Sequence, residues 1–200
     1  MTANSTSRFE RAIIAIDAAN AKDPNTVLHE GRDFPKELLY AMRMTEWLKR
    51  FRPGASEAIQ LAARSQHIRR WEIPRSDYPM DRIGYLKWRT TLKHFHAEIA
   101  EKILVDAGYD TALIDCVQSL IRKEQLKQDE EAQALEDVIC LVFLENYFAD
   151  FLEKHPEEKV VEIVRKTWKK MSLAAQETAL RLELSPAARV RIEKALQSSD

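Results

Sequence analysis

Two histidines and two carboxylates stand at positions of the chain where apolar side chains belong: His67, His96, Glu124 and Asp137. Ile59, Ala63 and His67 step by four, which puts His67 on the core stripe of a helix. Leu92, His96, Ile99 and Ile103 share a face, so His96 turns inward while His94 lies with Lys87, Thr91, Glu98 and Glu101 on the solvated side. Glu124 extends the stripe Leu113, Val117, Leu120, Ile121, and Asp137 sits with Ala134, Leu141, Leu144 and Phe148. An ionised carboxylate buried alone is costly; it neutralises or finds a counter-charge. Two chemistries answer that need. One is a shared divalent ion, for which His and carboxylate donors suit zinc, manganese or iron. The other is a hydrogen-bonded network in the core. Under the first, His67, His96 and Asp137 are ligands, Glu124 is a ligand or general base, and Glu124 and Asp137 are the catalytic carboxylates.

Between His67 and His96 runs "HIRRWEIPRSDYPMDRIGYLKWR" (67–89), a basic and aromatic interruption in an otherwise helical sequence. Arg69, Arg70, Arg75, Arg82 and Arg89 can present paired donors to a phosphate or carboxylate. Trp71, Tyr78, Tyr85 and Trp88 can stack on a base or fill the core beneath the loop. The structural alternative pairs the arginines with Glu72, Asp77 and Asp81. Pro74 and Pro79 stiffen the segment, and Gly84 permits a tight entry to the next helix. The expected substrate-binding set is Arg69, Arg70, Arg75, Tyr78, Arg82, Trp88 and Arg89, forming a lid over the polar centre.

The elements that must position these residues read as helices with short joints. A first helix carries Phe9, Ile13, Ile16 and Ala19, and residues 1–6 read as frayed. Residues 20–35 read as a loop, 35–51 as a second helix, and Ser56 caps a third through about Arg70. A long helix covers about 82–106, closed by Gly108. Asp110 opens one over about 111–124, and "KQDEE" (127–131) opens another to about 153. Pro156, Ser172 and the pair Ser185-Pro186 each start a further helix. The expectation is one all-α domain over 1–200, with 155–200 packed on its core.

Composition agrees. The 200 residues are 45% hydrophobic and 32% charged with a net charge of −1, a globular balance that argues against indiscriminate nucleic-acid binding. Cys116 and Cys140 read as buried thiols. The N-terminus lacks the pattern of a secretory signal, and "VICLVFL" (138–144) is too short to span a bilayer, so a cytoplasmic protein with no membrane partner is expected. Gly31, Gly54, Gly84 and Gly108 stand alone, so there is no phosphate loop.

"LLYAMRMTEWL", "LAARSQHIRRW", "HAEIAEKILVDAGY" and "LEDVICLVFLE", in that order, resemble an uncharacterised family, domain of unknown function 4202, over nearly the whole chain. The same segments look like a degraded version of the HD superfamily of helical metal-dependent phosphohydrolases. By that resemblance Tyr40 stands at the place of the first His, and His67-Ile68 at the His-Asp pair without its Asp. Asp137 matches the late Asp, His96 an additional His, and Glu124 lies near another. The resemblance implies a phosphohydrolase acting on a small phosphorylated or nucleotide-like substrate. Its alternatives are a module that binds RNA or a nucleotide without catalysis, and a scaffold. "HIRR" (67–70) and "KMSLA" (170–174) are similar to the signatures of class I aminoacyl-tRNA synthetases, but those need a Rossmann sheet and no strands are expected here.

Overall fold

Local capping chemistry sets most helix ends. In the computed structural model, which describes residues 6–124 and 128–197, the Ser7 hydroxyl accepts from Glu10 N–H and the Glu10 carboxylate accepts from Ser7 N–H. This reciprocal pair starts α1 (Arg8–Asn20). Ser56 caps α3 (Glu57–Ser65), Asp81 caps α4 (Arg82–Ala107), and Asp110 caps α5 (Thr111–Arg122). α2 (Lys36–Phe51) starts after Pro35, which gives no side-chain cap. Its Glu37 N–H donates instead to the Asp23 carboxylate at 3.0 Å. Gly108 adopts a φ of 87°, the left-handed turn that ends α4.

The described helices confirm the all-α reading, with one addition. Residues 20–35, expected as a loop, contain a hairpin of β1 (Thr26–His29) and β2 (Arg32–Pro35), paired antiparallel from Thr26↔Pro35 to His29↔Arg32. Glu30 and Gly31 both take positive φ, the two-residue turn whose twist suits a hairpin. Burial alternates along β1, but the sequence does not announce it, because the apolar Leu28 falls on the open face, 78% exposed.

The chain divides into two compact units, residues 1–125 and 126–200. In the first, α3 packs against α1, α2, α4 and α5, and α4 also lies along α1 and α5. Ile59, Leu61, Ala62 and Ala63 of α3 are fully buried there. Trp88, Leu92, His96, Ala100 and Leu104 form the buried stripe of α4, with His94 exposed as expected. In the second unit α6 (Glu130–Asn146) packs on α7 (Phe148–Lys154) and α9 (Leu173–Leu180). α8 (Glu157–Trp168) pairs with α10 (Pro186–Gln197). The single long helix expected to run to about 153 is broken at Tyr147, whose φ of −129° leaves the helical region.

Two further corrections concern helix faces. Cys116 is exposed, because it lies opposite the buried Ile114, Val117 and Ile121 of α5; Cys140 is buried. α5 stops at Arg122 because Lys123 turns left-handed at φ 61°, so Glu124 leaves the stripe and is exposed. The expected fraying of 1–6 and the helix start at Lys127 fall largely on residues 1–5 and 125–127, outside the described set. No helix among the described residues is long and apolar enough to cross a membrane.

Candidate functional site

α3 ends at Ser65, five residues short of the expected Arg70, and the early end creates the site. The Asn20 side-chain oxygen, at the end of α1, accepts the Arg69 N–H at 3.1 Å. Arg69 there takes φ 53°, a left-handed conformation that no helix interior allows. The chain then makes a short 3₁₀ turn over Arg70–Glu72. His67 therefore lies in a turn, with its side chain 25% exposed, and not on the helix stripe.

The imidazole of His67 has defined partners on both nitrogens. Arg70 Nη1 lies 2.7 Å from Nε2, and Glu37 Oε2 lies 3.2 Å from Nδ1. A guanidinium can only donate, so Nε2 accepts. The ring proton must then sit on Nδ1 and point at Glu37. Burial, followed by the charges of Arg70, Arg89, Lys123 and Lys36, pushes the His67 pKa well below its usual value. The ring is neutral at pH 7. Tyr40 stacks on it with centroids 3.9 Å apart and planes 13° from parallel.

His96, from α4, comes within 6.0 Å of His67 between ring centroids. Its Nδ1–H donates to the Ile68 carbonyl at 2.8 Å, and burial, with His67 beside it, pushes its pKa down to about 3. Glu37 is buried, and desolvation raises its pKa while Arg70 opposes the shift. The Arg70 guanidinium lies 4.9 Å from the centre of the Trp88 ring, a cation–π contact. Arg89 forms no hydrogen bond or ion pair among the described residues, yet its charge is felt at both His67 and Arg70.

Three of the other expected substrate-binding residues, Arg69, Arg75 and Trp88, make contacts within or against the loop. Arg69 pairs with Glu72 through two bonds of 2.6 and 2.8 Å. Arg75 donates to the carbonyls of Tyr78 and Pro79 at 2.9 and 2.7 Å, stapling the loop to itself. Trp88 Nε1–H donates to the Ile73 carbonyl at 2.9 Å, so this aromatic anchors the loop. Tyr78 is half-buried, and Arg82 is exposed. Gly84 is needed for a close approach: a Cβ there would lie 2.1 Å from the Pro79 carbonyl oxygen.

Of the four residues expected at one polar centre, His67, His96 and Glu124 belong to the first unit and Asp137 to the second. His67 and His96 are brought together. Glu124 is exposed and pairs with Arg122 at 3.3 Å. Asp137 is buried in the second unit, where its carboxylate accepts from Ser172 N–H at 2.8 Å, Ser172 Oγ–H at 2.6 Å and Gln133 Nε2 at 3.0 Å. Among the described residues no three His, Cys, Asp or Glu side chains are grouped to share an ion. A guanidinium, that of Arg70, faces the His67 lone pair. The residue missed in the sequence is Glu37. Its only signal was its place one turn before Tyr40 on the same helix.

The fold and site define a class: an all-helical protein with a small hairpin, carrying a neutral histidine between a carboxylate and a guanidinium. The chain belongs to the family described as Domain of unknown function (DUF4202), whose pattern matches residues 10–192. No curated protein and no solved structure matches it.

Proposed function

We propose that the chain binds a small phosphorylated or nucleotide-like anion at His67, Arg70 and Arg89. The observation that carries this reading is the charge balance: two guanidiniums, Arg70 and Arg89, act on one neutral imidazole, and Arg89 has no partner among the described residues. Glu37 is one carboxylate facing two guanidiniums, so it offsets only part of that charge. An anion with several acceptor oxygens satisfies the surplus, and phosphate matches the donor geometry of arginine. The phosphohydrolase reading shares this substrate class, with Glu124 paired to Arg122 and Asp137 bonded to Ser172 and Gln133 in this structure. Arg69, Arg75 and Trp88 hold the loop's shape rather than a ligand.

Titration calorimetry with inorganic phosphate and with a nucleoside triphosphate tests the reading. Ligand at a hundred times its Kd should stabilise the fold by about 2.7 kcal/mol, read as a rise in Tm. Arg89→Ala should abolish that rise while leaving the stability without added ligand within about 0.5 kcal/mol of wild type. Absence of binding by the wild type would sink the proposal. Binding of single-stranded RNA without either small ligand would favour a nucleic-acid module instead.

A further inference from the structure

An imidazole whose proton is fixed on one nitrogen and whose lone pair is covered on the other is arranged for more than binding. We propose that His67 is a nucleophile whose Nε2 takes a phosphoryl group from an acyl phosphate or phosphoanhydride held by Arg70 and Arg89. The inference rests on the phosphate-binding reading above. Arg70 Nη1 covers the Nε2 lone pair at 2.7 Å. A phosphoryl oxygen is a stronger, charge-assisted acceptor for that guanidinium than a neutral imidazole is. An entering phosphoryl group therefore draws Arg70 from nitrogen to oxygen and leaves the lone pair facing phosphorus.

The step balances within the groups named. Nε2 forms a bond to phosphorus as the bond from phosphorus to the leaving oxygen breaks. The electron pair departs with that oxygen, as a carboxylate or a phosphate, neither of which needs an acid. The phosphorylated ring carries positive charge, and its Nδ1–H remains directed at Glu37, whose carboxylate is positioned to stabilise it. Water then attacks phosphorus, the N–P bond breaks, and the pair returns to Nε2. Phosphate leaves and the water's proton passes to solvent. The low pKa of His67 keeps the lone pair unprotonated across neutral pH. His96 is less suited, since it is buried where His67 is only partly so.

The test uses the full chain and isotopically labelled acetyl phosphate as probe, with sites mapped by mass spectrometry at neutral to alkaline pH. The expected result is acid-labile phosphate on His67, formed faster than on the exposed His94. Covering the guanidinium site with excess inorganic phosphate should suppress it. His67→Asn should lose the label, and its Tm reports whether it folds. Glu37→Gln should slow labelling of a folded protein. Wild-type protein that binds phosphate but carries no label on His67, or labels His94 equally, would overturn the inference and leave the binding reading standing. Failure to bind phosphate at all would remove both.

Discussion

Asp137 and Glu37 are both buried carboxylates, 2% and 6% exposed, yet they have opposite surroundings. Asp137 meets only neutral donors: a backbone N–H, a hydroxyl and a carboxamide. Those bonds fasten the segment before α9 onto α6. Glu37 meets an imidazole and lies in the field of a guanidinium, and its desolvation is only partly offset. Burial alone does not distinguish a fastening from a reactive group. What the carboxylate faces does.

The largest expected effect is on the fastening. Asp137→Ala leaves the Ser172 N–H and hydroxyl without their acceptor and opens space in α6, which should cost about 3 kcal/mol. Urea denaturation measures it, and a loss under about 1 kcal/mol would show that the Ser172 contacts are incidental.

Acid sharpens the other side. His67 and His96 have folded pKa values below the ordinary one, so the unfolded chain binds more protons once the pH falls beneath about 6.5. Stability should be full above that pH and fall by about 1.4 kcal/mol per pH unit for each histidine as the pH drops towards the folded values. Glu37 runs the other way: its raised pKa favours the folded state while it is protonated, and that contribution fades as pH rises through its folded value. Urea midpoints between pH 7 and 4 check the slope, and His96→Gln should make it shallower.

The smallest expected effect is Glu37→Gln, which keeps shape and an acceptor oxygen for His67 and should change stability by no more than about 1 kcal/mol. The nitrogen chemical shifts of His67 then report whether its proton stays on Nδ1. A loss as large as that of Asp137→Ala would erase the distinction between the two carboxylates.

Caps made within one turn of chain were legible in the sequence, as at Ser56, Asp110, Ser172 and Ser185. The end of α3 was not, because it depends on the side chain of Asn20, distant along the chain. The helical period carried past Ser65 gave His67 the right inward direction for the wrong reason. His96 was read correctly because α4 continues unbroken around it. Asp137 was correctly placed inside, but its partner Ser172 lies 35 residues on, and no local pattern links them. Glu37 was hidden as a charged residue in the first turn of a helix, where acidic side chains are ordinary.

Asp23 has a consequence for how this chain tolerates changes in length. Its carboxylate accepts from Asn25 N–H and Nδ2 at one oxygen and from Glu37 N–H at the other, closing the chain around the hairpin like a clasp. Whatever happens at the Glu30-Gly31 tip, the segment returns to the same clasp before α2 begins. Doubling a flexible loop costs only about 0.6 kcal/mol in closure entropy. Residues inserted at the tip would therefore lengthen an appendage while Glu37, and the histidine it orients, keep their place.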